Sequence, residues 1–384
     1  MDKTARFMMQ LSYLLYLVTT ATACAGGSYI HMGATYGSIS LKKRADEAYV
    51  GCVTPEPVTC ETIGTCAYAN NSIGPWTAEA NIRHMQLADD AYNSLDLSRF
   101  NHRDDTIVYM PGDREFNMAQ HIQDVMNLYS TYPDNHVSNH PYKLSIGEGN
   151  WTFALSDISG TNKGPIQSPT GWRGPTGRRV NYEFMTAAYW EDGRIVKEYI
   201  WMDIITLQRQ LGFLPSQVSV DGTQSLSLSS FTLPLAVNPG EDVSEDNKRF
   251  HRQLETAFNN GELSAKSLRF SPNVAIFTSR DDTPDGLSSE KFLALIKRLK
   301  RSFSNLRLAL DTIIGSGDWT ASIGRLSGRH TGALSVLEYI SPVPIAATNN
   351  TVDVYFYTIA RWQNGLITHL KLMVDDLAVL GQLE

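Results

Sequence analysis

An internal repeat constrains this 384-residue chain most, because a duplicated sequence folds as copies of one unit. Three blocks recur in the same order and without gaps. The matches are Ala91 to Ser98 with 257–264, Gly147 to Thr152 with 315–320, and 180–211 with 352–383, at shifts of 166, 168 and 172 residues. Since the shift changes so little between blocks, duplication of a whole domain explains them better than chance. We therefore expect one domain over 76–216 and a second, diverged domain over 244–384.

The remaining segments differ in character from the two copies. Positions 217–243 are rich in Ser, Thr and Pro and lack helical periodicity, which is typical of a linker. Positions 24–75 hold every cysteine of the chain and read as an irregular extension.

The first 23 residues have the pattern of a secretory signal peptide. Lys3 and Arg6 precede an apolar stretch, and Ala21-Thr22-Ala23 supplies a small-x-small cleavage pattern. An uncleaved membrane anchor, a misassigned start site and a lipoprotein site at Cys24 are the alternatives. The apolar stretch is short for a bilayer span, so we expect cleavage, secretion and no stable membrane insertion afterwards.

An exported chain normally pairs its cysteines, so disulfides are expected among Cys24, Cys52, Cys60 and Cys66, with the pairing open. Their spacing does not match a CxxC zinc or redox motif. Asn70 and Asn349 begin glycosylation sequons, which would make the exported chain a glycoprotein.

The composition of the chain limits the classes of partner that it can bind. The chain is 42% hydrophobic and 19% charged, with a formal net charge of -7, as in an ordinary globular protein. There is no block of basic residues with interleaved aromatics such as phosphate-backbone binding needs. Nucleic acid is therefore not expected as a partner.

Each copy has a pattern typical of an α+β domain. Phe250, Leu254, Ala257 and Phe258 share one helical stripe in the second copy. Further helices are expected over 117–130 and 289–301, and alternating residues over 143–158 predict a strand before a longer hairpin.

The hairpin carries the most informative carboxylate. Asp192-Gly193 favours a two-residue turn, and Asn364-Gly365 takes its place in the second copy. Counting outward from that turn sets Asp203 opposite Tyr182, on the apolar face that the copies share, and Asp375 opposite Val354. A carboxylate on such a face would have a raised pKa, as an acid/base catalyst requires.

Two readings of Asp203 remain open at this point. The residue could instead serve as the cap of a helix that begins at Ile204. Lys197 falls on the same face as Asp203, because alternate residues of a strand share a face. A bulge or a protruding hairpin tip would be needed to turn Lys197 outward.

The order of motifs resembles the SnoaL-like polyketide cyclase family, whose cone-shaped α+β domains belong to the group typified by nuclear transport factor two. The motifs are Tyr132-Pro133-Asp134, GNWT at 149–152, the loop 160–164, PTGRRV at 175–180, WEDGRIVKEYIWMD at 190–203 and QLG at 210–212. The second copy keeps GSGDWT, Asp375 and Gln382-Leu383. It lacks a clear PTG element, and His330 occupies the His position of the family's Gly-Thr-His-x-Gly loop, where the first copy has Asn162.

The resemblance implies two cones, each a curved antiparallel sheet wrapped around N-terminal helices. It implies cavities free of metal and cofactor, in which Asp203 and Asp375, with His330, move protons on a small apolar or polyketide-like molecule during cyclisation or isomerisation. It also implies that the two domains pair within the chain as a pseudo-dimer. The alternative is a non-catalytic binding or scaffold protein that has kept the cone.

Overall fold

The computed structural model describes residues 76–168, 171–214, 244–278, 286–335 and 344–383. The predicted signal peptide, the four cysteines, Asn70 and the linker lie outside the described residues. Within the described part, none of the helices is long and apolar enough to cross a bilayer.

Two successions of helices and strands repeat along the chain. The first domain comprises α1 (Ala78–Ser94), a 3-10 turn (Leu97–Arg99), β1 (His102–Met110), β2 (Arg114–Phe116), α2 (Met118–Thr131), β3 (His136–Val137), β4 (Leu144–Glu148), β5 (Trp151–Thr161), β6 (Ile166–Ser168), β7 (Gly171–Arg173), β8 (Arg179–Glu191), β9 (Arg194–Met202) and α3 (Ile204–Gln210). The second comprises α4 (Ser244–Asn260), β10 (Phe270–Thr278), α5 (Ser289–Ser302), β11 (Phe303–Ser316), β12 (Trp319–His330), β13 (Thr351–Gln363), β14 (Leu366–Val374) and α6 (Asp376–Leu383). The α+β class with two tandem domains is confirmed, and the predicted helices agree to within about one residue.

Each domain is built on one main sheet. The order is β2-β1-β9-β8-β5-β3, with β4 also paired to β5, in the first, and β10-β14-β13-β12-β11 in the second. All pairings are antiparallel except β1 with β9 and β10 with β14, which are parallel. Parallel pairing is possible there because no tight turn joins the two strands.

The hairpin turns agree with prediction, but the strands that leave them do not stay in register. Asp192 and Gly193 have φ of 50° and 74°, as a two-residue turn of the primed type requires. Trp190 lies opposite Ile195, yet Tyr189 pairs with Lys197, so Val196 is an extra residue in a β-bulge. The second copy has the same bulge, since Trp362 pairs with Ile367 and Arg361 with His369.

Each domain has its own core between its sheet and its helices. The second-domain core includes Phe258, Phe292, Ile296, Val354 and Trp362. The corresponding first-domain core is richer in tyrosine, with the four buried side chains Tyr92, Tyr129, Tyr132 and Tyr182.

A third core joins the outer faces of the two sheets. Its first-domain members are Leu144, Ile146, Phe153, Leu155, Met185, Ala187 and Trp201, and its second-domain members are Phe277, Ile314, Trp319, Ala321, Ile323, Tyr357, Ile359 and Met373. Trp151 packs against this shared core, so neither Trp151 nor Trp319 fills the interior of a cone. The helices lie on the far side of each sheet.

The contact between the sheets is ionic at one place and aromatic at its repeat-related counterpart. Lys371 is hydrogen-bonded to Glu183, and both side chains are fully buried. Their counterparts 172 positions away are Tyr199 and Tyr355, whose rings meet edge to face with centroids 5.5 Å apart. Positions related by the repeat therefore contact each other reciprocally across the interface.

Candidate functional site

The bulge in β9 moves Asp203 off the predicted face. The Asp203 amide donates to the Glu183 carbonyl (2.9 Å), and the Asp375 amide donates to that of Tyr355 (3.1 Å). Both partners lie one position away from the predicted Tyr182 and Val354, and one residue reverses the face on which a strand side chain points. The predicted register was therefore wrong, because the count assumed a regular ladder. The same bulge explains why Lys197 is exposed.

Asp203 caps helix α3 at the contact between the domains. Its carboxylate accepts from the Thr206 amide (3.0 Å) and the Thr206 hydroxyl (2.7 Å). Burial raises the pKa of Asp203 to about 6, while the nearby Lys371 charge and the Thr206 bonds act in the opposite direction. The helix cap and the raised pKa thus coexist in one side chain.

Asp375 is the repeat-related cap and also connects the domains. Its carboxylate accepts from the Ala378 amide (3.0 Å) and from the first-domain amides of Gly112 (2.7 Å) and Asp113 (3.2 Å). Burial raises the pKa of Asp375 to about 6, against these three bonds. Asp203 and Asp375 line one small space of about 10 Å³, which has room for about one water molecule.

A larger cavity, of about 160 Å³, lies inside the second domain. Its lining is almost wholly apolar, with side chains from α4, α5 and the concave face of the sheet, among them Leu254, Phe292, Leu295, Leu326 and Phe356. Neither Asp375 nor His330 is part of the lining. The cavity is about the size of an engineered apolar cavity that stays dry and binds benzene.

One buried imidazole faces this apolar cavity. The His251 nitrogens lie 3.0 Å from the Thr320 hydroxyl and 3.1 Å from that of Thr358, which itself meets Ser322. Burial lowers the pKa of His251 to about 4, so the ring is neutral at neutral pH. Both ring nitrogens are thus engaged by hydroxyls, and the hydroxyl of Thr358, which also lines the cavity, is the polar group that a ligand could meet beside the ring.

His330 is buried at the end of β12. The Thr348 amide donates to its Nδ1 (3.2 Å), and burial lowers the pKa of its ring. Within the described residues its Nε2 has no hydrogen-bond partner.

In the first domain, a polar cluster occupies the positions that line the cavity in the second. Glu198 lies 3.1 Å from Nε2 of His102 and 3.6 Å from Nε2 of His121, and all three side chains are buried. Burial acts to raise the pKa of Glu198, but the two histidines hold it below its usual value. The three residues each offer a ligand atom, and these atoms lie within 4.8 Å of one another, so they could hold a metal ion.

Asp89 on α1 adds a fourth ionisable group near this cluster. The Tyr142 hydroxyl donates to Asp89 (2.6 Å). Burial raises the pKa of Asp89 to about 7, and the charges of Glu198 and His102 also act on it.

Comparisons with known proteins place both halves of the chain in one family. The SnoaL-like polyketide cyclase profile matches residues 82–211 and again 248–383. The chain belongs to the SnoaL-like polyketide cyclase family. None of the curated proteins matches the sequence.

Among solved structures, AclR from Streptomyces galilaeus is similar at 20% identity over 37% of this chain and 87% of that one, with a TM-score of 0.33. IdmH from Streptomyces antibioticus is 19% identical over 36% and 97%, with a TM-score of 0.30. A SnoaL-like polyketide cyclase from Agrobacterium tumefaciens is 9% identical over 36% and 98%, with a TM-score of 0.29.

The polar cluster of this SnoaL-like chain was not predicted from its sequence. His102, His121 and Glu198 differ from the residues at the same positions of the second copy, whereas the sequence argument followed positions that the copies share. Comparison of the positions that differ would have found them, because Phe270, Phe292 and Leu370 replace the three ionisable residues together. Glu198 also needs the bulge in order to face inward.

Proposed function

We propose that the second domain binds a small apolar or polyketide-like molecule in its cavity. The observation that carries the proposal is a cavity of about 160 Å³ with an apolar lining and a buried neutral histidine at its wall. Ligand sites are typically apolar concavities with a few placed polar groups. Family membership supports the same ligand class, since the family is described as polyketide cyclases.

Indole, one bicyclic ring system with one donor, is a suitable probe. We expect calorimetry to detect about one indole per chain in the wild type. Leu295→Trp should abolish binding, because Leu295 lines the cavity and the larger ring would fill it. Ala294→Trp is the matched control, because Ala294 lies next to Leu295 on α5 but is exposed. Equal binding by both variants would contradict the proposal.

Catalysis of a cyclisation or isomerisation by proton transfer is the second candidate. It is supported by family membership and by the raised pKa, about 6, of both Asp203 and Asp375. Neither carboxylate is part of the cavity lining, which favours a helix-capping and interface role instead. His330 joins them as a candidate because it is buried with an unpartnered Nε2 among the described residues.

The two candidates make different predictions for variants. If the aspartates act as acid and base, D203N combined with D375N should abolish turnover of a polyketide-like β-dicarbonyl compound while indole still binds. Turnover that survives in the double variant would assign these residues to structure alone.

We further propose that the domains form an intrachain pseudo-dimer and that the chain is exported. Reciprocal contacts between repeat-related residues support the first, and the Lys3, Arg6 and Ala21-Thr22-Ala23 pattern supports the second. Mass spectrometry of the chain recovered outside the cell would test export, and a mature N-terminus at Cys24 is the expected result.

A further inference from the structure

The polar cluster of the first domain has the ligand composition of a transition-metal site, and its ligand atoms lie within 4.8 Å of one another. Two histidines and one glutamate also form catalytic zinc sites, in which a fourth position stays open. For metal-ligand bonds of roughly 2.0–2.1 Å, tetrahedral geometry sets neighbouring ligand atoms about 3.3 Å apart. The two separations from the Glu198 carboxylate oxygen, 3.1 Å to His102 and 3.6 Å to His121, lie on either side of that value.

The partner of His102 fixes which of its nitrogens faces Glu198. Nδ1 of His102 is hydrogen-bonded to the Phe100 carbonyl, so Nδ1 carries the proton and donates. A histidine whose Nδ1–H is held by a backbone carbonyl presents Nε2 as the ligand atom, the usual arrangement around protein-bound metals. Nε2 of His102 points at the Glu198 carboxylate, and a bound metal ion would displace the proton that otherwise lies between them.

His121 supplies an independent observation. Its ring is buried and stacks on Phe100 with centroids 5.4 Å apart. Nε2 lies 3.6 Å from Glu198, which is too long for a good hydrogen bond, and within the described residues Nδ1 has no partner. A buried imidazole without a hydrogen bond is costly, and coordination of a metal by Nε2 would give this ring one strong partner while Nδ1 keeps its proton.

In the second copy, apolar residues occupy the three positions that correspond to the polar cluster. Phe270, Phe292 and Leu370 are the counterparts of His102, His121 and Glu198, and all three line the apolar cavity. Phe270 and Phe292 keep the ring contact, with centroids 5.9 Å apart against 5.6 Å for the two histidines. The cone is therefore compatible with apolar residues at all three positions, so packing alone does not call for the ionisable set.

We propose that His102, His121 and Glu198 bind one divalent transition-metal ion inside the first domain, with Zn²⁺ as the best match to the ligand set. The proposal departs from the metal-free cavity that the family resemblance implies. It does not depend on ligand binding by the second domain. Its readout is metal content and affinity, so its failure and that of the cavity proposal are distinguishable.

The experiment uses the full chain without an affinity tag, stripped with chelator and then titrated with Zn²⁺. We expect one tight site per chain by calorimetry and elemental analysis. Co²⁺ at the same site should give the intense visible absorption of a tetrahedral complex. No binding above background, or a Co²⁺ spectrum like that of the aqueous ion, would overturn the proposal.

Variants locate the site. E198Q and H121F should each weaken Zn²⁺ binding by more than the roughly 10- to 100-fold that loss of an outer-shell partner costs. The triple variant H102F/H121F/E198L copies the second domain and should keep its circular dichroism while losing the site. H140A is the matched control, because His140 is exposed and pairs with Asp90. Unchanged affinity in the folded triple variant, or an equal loss in H140A, would contradict the assignment.

Discussion

Asp203 combines a helix cap with a carboxyl that resists ionisation, and the two properties predict an unusual dependence on pH. Its folded-state pKa of about 6 lies above the ordinary 3.8, so the folded state binds more protons than the unfolded state between those values. Stability contributed at this site therefore falls as pH rises through that window, by an amount on the order of 3 kcal/mol.

The variant D203N should isolate this effect, because Asn also caps helices well but does not titrate. We expect D203N to gain stability relative to wild type as pH rises from 4 to 7, measured by urea unfolding at several pH values. D134N is the control with the opposite sign, since hydrogen bonds from Thr161 outweigh burial and lower the pKa of Asp134. A stability difference between D203N and wild type that does not vary with pH would contradict the prediction.

The buried Glu183 and Lys371 pair predicts a large cost for removing one partner. Burial acts to raise the pKa of Glu183, but Lys371 and Lys143 hold it below its usual value, so the carboxylate is charged. K371M would remove the closer cation and leave the buried Glu183 carboxylate facing the Lys143 ammonium, 3.5 Å away. We expect a loss of about 3 kcal/mol of unfolding free energy by urea titration.

Two companion variants make the test specific. E183Y/K371Y copies the Tyr355 and Tyr199 contact and should recover most of the loss, because two aromatic side chains that pack on each other can replace a buried ion pair. R103M removes only exposed ion pairs and should cost less than about 1 kcal/mol. If K371M is no more destabilising than R103M, the buried Glu183 and Lys371 pair contributes little to the free energy of unfolding.

Among the secondary-structure elements, α2 depends on an N-terminal capping box. The Asn117 side chain accepts from the Gln120 amide and the Gln120 side chain accepts from the Asn117 amide, both at 3.0 Å. N117A should cost about 1 kcal/mol by thermal unfolding. S288A is the matched control on α5, where the cap bond to Lys291 is longer, 3.4 Å, and the box is not formed, so we expect a smaller loss. Equal losses would mean that the box adds nothing to the single cap.

Elements with a local signal were predictable, and those set by pairing were not. The α4 stripe and the turn at Asp192-Gly193 depend on neighbouring residues, so sequence sufficed for both. The bulge at Val196 left only one indirect signal, Lys197 on the predicted apolar face, and its position is fixed by what the partner strands require. The extra residue moved Asp203 to the interface and turned Glu198 toward the two histidines. The candidate site was therefore less predictable than the fold.

At the scale of the whole molecule, the shared core between the sheets determines how the two copies behave together. Its residues come almost equally from both domains, and the two sheets meet through aromatic, aliphatic and ionic contacts. A surface of this kind would be exposed on either domain alone, and exposed apolar patches of large size favour association. The two domains should therefore remain bound to each other without a covalent connection.

Co-expression of residues 76–214 and 244–384 as separate chains tests this prediction. We expect the two fragments to copurify and to elute from gel filtration as one species of about the mass of their sum. The interface itself should supply enough binding free energy to hold the fragments together without the linker. Ile359→Glu in the second fragment buries a charge in the shared core, where Ile359 is fully buried, and should separate them. Circular dichroism of the isolated I359E fragment distinguishes a lost interface from a lost fold. Wild-type fragments that elute separately while each stays folded would show that the linker, and not the paired sheets, holds the two copies together.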